Sequence, residues 1–133
     1  MDGTWDAIHS RLSGVCDLWH IRAPDDYLPA DPYVIGVVRL IAGGDEHEQR
    51  LELTLDTHGY GDDSAALAVE ECVRDIHRAL TGWRILSVDG ASSELERELA
   101  EWIEEDDVRG KRVRMIYNGV WLSREVAATR QGG

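Results

Sequence analysis

The apolar and polar positions are most regular between Tyr33 and Leu80, where they predict two strands followed by a helix. Tyr33–Ile41 is rich in β-branched residues on both faces, which is typical of a strand covered on both sides by helices or by a neighbouring subunit. Gln49–Thr57 alternates apolar and polar residues with a period of two, as half-buried strands do. Ala65–Leu80 repeats apolar residues at the helical period, with charged residues opposite, and Gly82 is predicted to end this helix. This unit therefore forms the centre of the predicted fold.

Shorter patterns predict the flanking elements. An apolar stripe predicts a first helix over Thr4–Leu18, and three prolines make His20–Pro32 an extended loop. Beyond the central unit, apolar runs predict strands at Arg84–Asp89 and Val113–Leu122. Between these strands, a helical stripe of apolar residues predicts a helix over Ser92–Glu105.

Together these elements predict an α+β fold, with a small mixed or antiparallel sheet of about four strands packed against two or three helices. A length of 133 residues is typical of one domain. We place that domain at residues 1–124 and expect residues 125–133 to be a flexible tail.

Charge restricts the possible partners. The chain has 26 acidic and 14 basic residues, a net charge of −12. Such a surface repels the phosphates of nucleic acids, so specific nucleic-acid binding is not expected. Acids dominate Asp89–Asp107, and the basic residues Arg109, Lys111, Arg112 and Arg114 follow. This segregation suits either pairing within the chain or subunits that meet head to tail.

The sequence shows no pattern typical of catalysis, and we expect no enzyme activity and no cofactor. The five histidines lack metal-ligand spacing, and no phosphate-binding loop or nucleophile motif is present. Asp56 and His58 share a strand face, which is common among surface polar neighbours. Cys16 and Cys72 are interpreted as buried free thiols in a reducing compartment.

Tyr60-Gly61-Asp62-Asp63 resembles the metal-binding hairpin of RNA-dependent polymerases over four residues. Here the two acids directly precede a predicted helix, where a carboxylate caps free amides and meets the positive end of the helix. We therefore interpret these acids as helix-capping residues and expect no metal there.

No apolar run is long enough to span a bilayer, so no membrane partner is expected. Met1–Trp5 lacks the basic and apolar regions of a signal peptide, which predicts folding in the cytosol.

The order of elements resembles the tail terminator, or tail completion, family of long-tailed bacteriophages and gene transfer agents. The likeness spans residues 5–124. The stretches that carry it are Asp31–Ile35, Leu51–Thr57, His58–Gly61, Ser64–Trp83 and Arg112–Tyr117. At Ser92–Asp107 the pattern predicts a helix, where the resemblance implies an extended loop.

The resemblance implies a virion structural protein, assembled in the host cytoplasm and located at the head-proximal end of the tail. Such proteins form a ring of six subunits that stops polymerisation of the tail tube and provides the docking surface for the head. The implied partners are further copies of the chain, the tail tube protein, and the head–tail connector or neck proteins. Double-stranded DNA would pass through without specific binding, since like charges line the channel.

For such a ring we expect subunit contacts at Arg39, Arg50, Arg112 and Arg114. Acids that face the channel are expected on the hairpin tip, at Asp45, Glu46 and Glu48. Reversing the charges of Arg112 and Arg114 should then weaken assembly and leave the fold intact.

Two other functions remain open from the sequence. The chain could be a head-completion or stopper protein of the neck. It could also be an acidic cytosolic binding module, such as an immunity or anti-defence protein. Solution mass separates these classes, because a monomer bound to a basic partner favours the module.

Overall fold

A single curled sheet of seven strands dominates the computed structural model, which describes residues 2–21, 32–42, 49–104 and 110–123. In chain order the elements are α1 (Asp2–Leu12), β1 (Asp17–His20), β2 (Tyr33–Ala42), β3 (Gln49–Tyr60), α2 (Asp63–Leu80), β4 (Arg84–Leu86), β5 (Gly90–Glu94), β6 (Glu96–Ile103) and β7 (Gly110–Ser123).

Strand β7 joins the two halves of the sheet. Along one edge it pairs with β3 over the whole of β3, and β3 in turn pairs with β2. Its other edge pairs with β6 from Arg112 to Asn118 and with β5 from Trp121 to Ser123. All these pairs are antiparallel, whereas β1 pairs with β2 in parallel. The strand order is β1-β2-β3-β7-β5-β4. β6 is not in this series, because it pairs with the same edge of β7 as β5 does, at a different part of β7.

Both helices pack on the same face of the sheet. The apolar residues of β3 that alternation predicted to be buried, Leu51, Leu53 and Leu55, are fully buried beneath them. Val69, Ile76 and other residues of α2 complete one core cluster with these leucines. The alternation of β3 and the stripe of α2 are thus confirmed.

We call the opposite face of the sheet the open face, because no described helix packs on it. Cross-strand neighbours share a face, so the registers assign its residues. They are Tyr33, Ile35, Val37, Arg39 and Ile41 of β2; Arg50, Glu52, Thr54, Asp56 and His58 of β3; and Arg112, Arg114, Ile116, Asn118 and Val120 of β7. Helices thus cover β2 on only one of its two apolar faces.

The predicted fold class is wrong, because seven strands form the sheet instead of about four. The largest error lies at Ser92–Glu105, where two strands replace the predicted helix. The register of β6 on β7 shifts between Arg97 and Leu99, so β6 carries a bulge. A bulge interrupts the period-two alternation, and the apolar residues that remained happened to fit a helical stripe.

Helix α1 ends at Leu12, six residues before the predicted end at Leu18. Gly14 has a φ of +82°, which favours glycine and ends the helical backbone. Cys16 therefore lies in the connection to β1. The predicted tail, residues 125–133, lies outside the described residues.

Helix α2 begins as the sequence predicts. Asp62 is its N-cap, and a side-chain oxygen of Asp62 accepts hydrogen bonds from the Ser64 hydroxyl at 2.6 Å and the Ser64 amide at 3.0 Å. These hydrogen bonds lower the pKa of the Asp62 carboxyl below its usual value, the hydroxyl bond contributing most. At the other end, Gly82 has a φ of +73° just after the C-cap Thr81, so the predicted stop at Gly82 is also confirmed.

We expect Asp62→Ala to destabilise α2 modestly, because the Ser64 amide loses its acceptor. Since the folded-state pKa is depressed, the stabilisation is present above the unfolded-state value of about 3.9 and disappears as the pH falls through the folded-state pKa. Urea unfolding should therefore show a larger deficit for Asp62→Ala at pH 7 than at pH 2.5, where a protonated carboxyl offers only a neutral acceptor oxygen. The conservative Asp62→Asn variant keeps an acceptor oxygen and should retain most of the stability at both pH values. An equal deficit for Asp62→Ala at pH 2.5 would contradict a charge-dependent cap.

Candidate assembly surface

All four arginines expected at a subunit interface lie on the open face, and two of them, Arg39 and Arg50, lie together there. Arg39 and Arg50 both pair with Glu52, at 2.6 Å and 3.5 Å between nitrogen and oxygen. The Glu52 side chain is only 11% exposed, whereas those of Arg39 and Arg50 are 64% and 50% exposed. A guanidinium carries five N–H donors. Both arginines can therefore hold Glu52 and still bind a carboxylate of another molecule.

Arg84 is a third exposed arginine near Arg50, although no sequence pattern indicated it as an interface residue. Arg50 and Arg84 line one open cavity of about 480 Å³, together with Glu94, Glu96 and residues of β7. Arg84 is 70% exposed and lies 3.6 Å from Glu94. Its position depends on the β4–β5 pairing, which local periodicity could not reveal. We call Arg39, Arg50 and Arg84 the arginine cluster.

Arg114 has a different environment from the arginine cluster. Its guanidinium binds both carboxylate oxygens of Asp56, at 2.9 Å and 3.1 Å, across the β3–β7 pair. Hydrogen bonding to Asp56 raises the pKa of Arg114, and the nearby charges of Asp56 and Glu101 add to this effect. The side chain of Arg114 is 38% exposed and that of Asp56 is 17% exposed. Arg114 thus acts first as an internal partner of the sheet.

The remaining predicted site residues are not gathered at the arginine cluster. Arg112 is half-buried and lies opposite His58, toward the other end of β3. Asp45, Glu46 and Glu48 lie outside the described residues.

Among the described residues, two long strands have backbone without a strand partner along one edge, in addition to the outer edges of the short strands β1 and β4. β1 pairs with β2 only from Tyr33 to Gly36, and no described residue pairs with the outer edge of Val37–Ala42. β6 pairs with β7 along one edge, and within the described ranges nothing pairs with its other edge. Unpaired edges of this kind are templates for strands of another chain.

The free edge of β6 is acidic and carries an exposed aromatic side chain. Glu96, Glu98 and Glu101 on the strand and Glu104 just after it are exposed. Glu98 accepts a hydrogen bond from the Asn118 amide of β7. Trp102 is 48% exposed. Large aromatic side chains are enriched at protein–protein interfaces, where they often supply much of the binding energy.

The groups considered for catalysis are occupied by structural contacts. Asp56 binds Arg114, while the His58 ring stacks on Tyr33 with centroids 5.1 Å apart. In the described part of the chain, no group of three or more histidine, cysteine or acidic side chains is placed to hold a metal ion. No helix there is long and apolar enough to cross a membrane.

The two cysteines line a second open cavity, of about 610 Å³, between α2 and the start of β1. Cys72 is buried and Cys16 is half-buried. Burial raises the pKa of Cys16 to about 12 and that of Cys72 to about 11. Both thiols are therefore protonated at neutral pH and are weak nucleophiles.

The chain is thus a sheet protein with an exposed basic region at the arginine cluster and an exposed acidic region on β6. Among the described residues, β2 and β6 each have an edge without a strand partner. No protein-family model matches the sequence, and no curated protein matches it. The fold resembles that of a chain in the virion of a native gene transfer agent particle, with a TM-score of 0.69 and 12% sequence identity. That match covers 92% of this chain and 96% of the other.

A second solved structure, whose name states no function, matches with a TM-score of 0.62 and 14% identity over 89% of this chain and 92% of its own. At these identities the likeness establishes the fold. The chain thus shares the fold of a gene transfer agent virion component along almost its whole length.

Proposed function

We propose that this chain is a structural protein of a phage or gene transfer agent virion, and specifically the tail terminator. The observation that carries the proposal is the match to the gene transfer agent virion chain, which includes 92% of this chain and 96% of that one. The tail terminator resemblance, which the sequence carries over residues 5–124, supplies the finer assignment.

The surface supports an assembly role for this fold. A ring of identical subunits needs two different contact surfaces on each copy, related by a rotation that closes. The β2 edge with the exposed Arg39 and the acidic edge of β6 are proposed as these two surfaces, and they differ in charge. The net charge of −12 would also let DNA move through a channel without adhering to it. We propose a head-proximal ring, with six subunits as the expected number.

The test is to add the purified chain to a tail tube protein from the same genome while that protein polymerises. We expect the chain to end tube growth, to remain at one end of each tube, and to be seen there as a ring by electron microscopy. Tubes should shorten as the ratio of chain to tube protein rises.

Tubes of unchanged length with no bound chain would contradict the terminator assignment. Binding to the head connector in place of the tube would instead indicate a head-completion or stopper protein. A stable monomer that holds a basic partner would indicate the acidic binding module.

A further inference from the structure

We infer that neighbouring subunits join by continuing the sheet, with the free edge of β6 in one copy beside the free edge of β2 at Val37–Ala42 in the next. This inference rests on the proposed ring and names the surfaces that form it. The partner at both edges is another copy of this chain.

The backbone gives the first reason. Along β6, Glu96–Ile103, one edge is paired with β7 and no described residue occupies the other. Beyond Gly36, β2 continues for six residues after its last partner in β1. Each edge therefore presents backbone N–H and C=O groups, and a strand from another chain can satisfy them.

Their positions in the sheet give the second reason. β2 and β6 are separated by β3 and β7, so their free edges point away from each other on opposite sides of the same sheet. Contacts between two different surfaces of identical copies are head-to-tail, and they form a ring when the rotation closes. A surface that paired with itself would instead stop at a dimer.

Charge selects the pairing of β6 with β2. The β6 edge carries Glu96, Glu98 and Glu101, and the sequence continues to Glu104. The β2 edge carries Arg39, whose side chain is 64% exposed and neighbours Arg50 through Glu52. Joining β6 to another β6 would bring like charges together, whereas joining β6 to β2 brings opposite charges together.

Trp102 gives a further reason. Its side chain is 48% exposed on β6, and large aromatic side chains of this kind are enriched at protein–protein interfaces. Trp102 lies opposite Val113, on the helix-bearing face of the sheet, so at a strand–strand joint its ring would pack against the neighbouring subunit on that face.

The first experiment uses complementary charge reversal. Variant A carries Glu98→Lys and Glu104→Lys, and variant B carries Arg39→Glu. In variant A the β6 edge loses its net negative charge, and in variant B the β2 edge gains an acid, so neither should self-associate well. We expect each alone to need at least a tenfold higher concentration than the wild type for assembly, measured by sedimentation equilibrium. Their equimolar mixture should recover most of the wild-type assembly, because alternating copies restore opposite charges at every joint.

Matched controls keep the surface charge equal. Glu70→Lys with Glu71→Lys reverses two exposed acids of α2, and Arg78→Glu reverses an exposed base of the same helix. These variants should assemble like the wild type. Variant B keeps Arg50 as the partner of Glu52, so the buried carboxylate stays paired. Circular dichroism verifies that each variant is folded.

Cross-linking gives a second readout that does not depend on charge. In a chain whose native cysteines are replaced by alanine, Ala100→Cys on β6 and Ala42→Cys on β2 place exposed thiols on the two edges. A short bis-maleimide should give a ladder of covalent oligomers only when both cysteines are present. Ala100→Cys with Ser64→Cys, on the far end of α2, should give no ladder.

The outcomes separate the inference from the proposed function. Wild-type rings on tube ends, together with unimpaired variants A and B and no cross-linked ladder, would overturn this joint and leave the terminator assignment standing. Folded variants whose mixture fails to recover would also overturn it. A wild-type chain that stays monomeric even on tube ends would overturn both.

Discussion

We expect Gly90→Ala to lower the free energy of unfolding by about 2–5 kcal/mol, the combined cost of overpacking and of an unfavourable backbone conformation. Gly90 begins β5 with a φ of +155°, directly beside the C-terminal end of β7. An added Cβ would fall inside contact distance of the Leu122 carbonyl oxygen and within 2.9 Å of the Trp121 ring. Neither group can withdraw easily, because the oxygen belongs to the backbone and Trp121 is only 2% exposed.

Gly14→Ala is the matched control for this variant. Gly14 also has a positive φ, +82°, but nothing lies within 4 Å of an added Cβ. The alanine there should cost only the conformational term, about 1–2 kcal/mol. Urea unfolding of both variants measures the difference. Equal losses would show that the β4–β5 hairpin shifts freely away from β7, contrary to the packing described here.

The second large effect is expected from Arg114→Glu. Losing an exposed ion pair costs about 0–1 kcal/mol, and breaking a buried pair costs about 3–5 kcal/mol. The Arg114–Asp56 pair is bidentate and partly buried, and the variant would add a third carboxylate beside Asp56 and Glu101. We therefore expect a loss of about 2–3 kcal/mol in the free energy of unfolding.

The double variant Asp56→Lys with Arg114→Glu should recover part of this loss, since opposite charges again face each other across β3 and β7. Arg78→Glu, on the exposed face of α2, should change the free energy of unfolding by no more than about 0.5 kcal/mol. No recovery in the double variant would mean that packing of the arginine, and not its charge, holds the strands.

This ion pair also changes how an assembly experiment is designed. The sequence suggested reversing Arg112 and Arg114 together as a test of the interface, with an intact fold. Because Arg114 holds Asp56 inside the subunit, weaker assembly of that variant would not distinguish a lost contact from a destabilised sheet. Arg39, which is more exposed and shares Glu52 with Arg50, is the better probe.

Part of the candidate surface could be predicted from the sequence. Arg39 and Arg50 were selected as interface residues, and the structure places both on the open face with much of their side chains exposed. Their shared contact with Glu52 follows from the antiparallel register of β2 and β3, which residue types alone do not fix. Arg84 and the free edge of β6 were missed, because both depend on strands that the sequence did not predict to pair.

The sequence by itself determined the elements whose pattern is local. The alternation of β3, the stripe of α2, the Asp62 cap and the Gly82 stop depend on residues within a few positions of one another, and each is where the sequence placed it. Only the tertiary structure decided that Gly90–Glu94 and Glu96–Ile103 become strands and that the sheet has seven of them. The physical reason is that the 14-residue strand β7 pairs with β3 along one edge only, so its other edge offers backbone hydrogen bonds to β5 and β6. Pairing between distant segments outweighs a weak local preference, and it also sets which edges remain free.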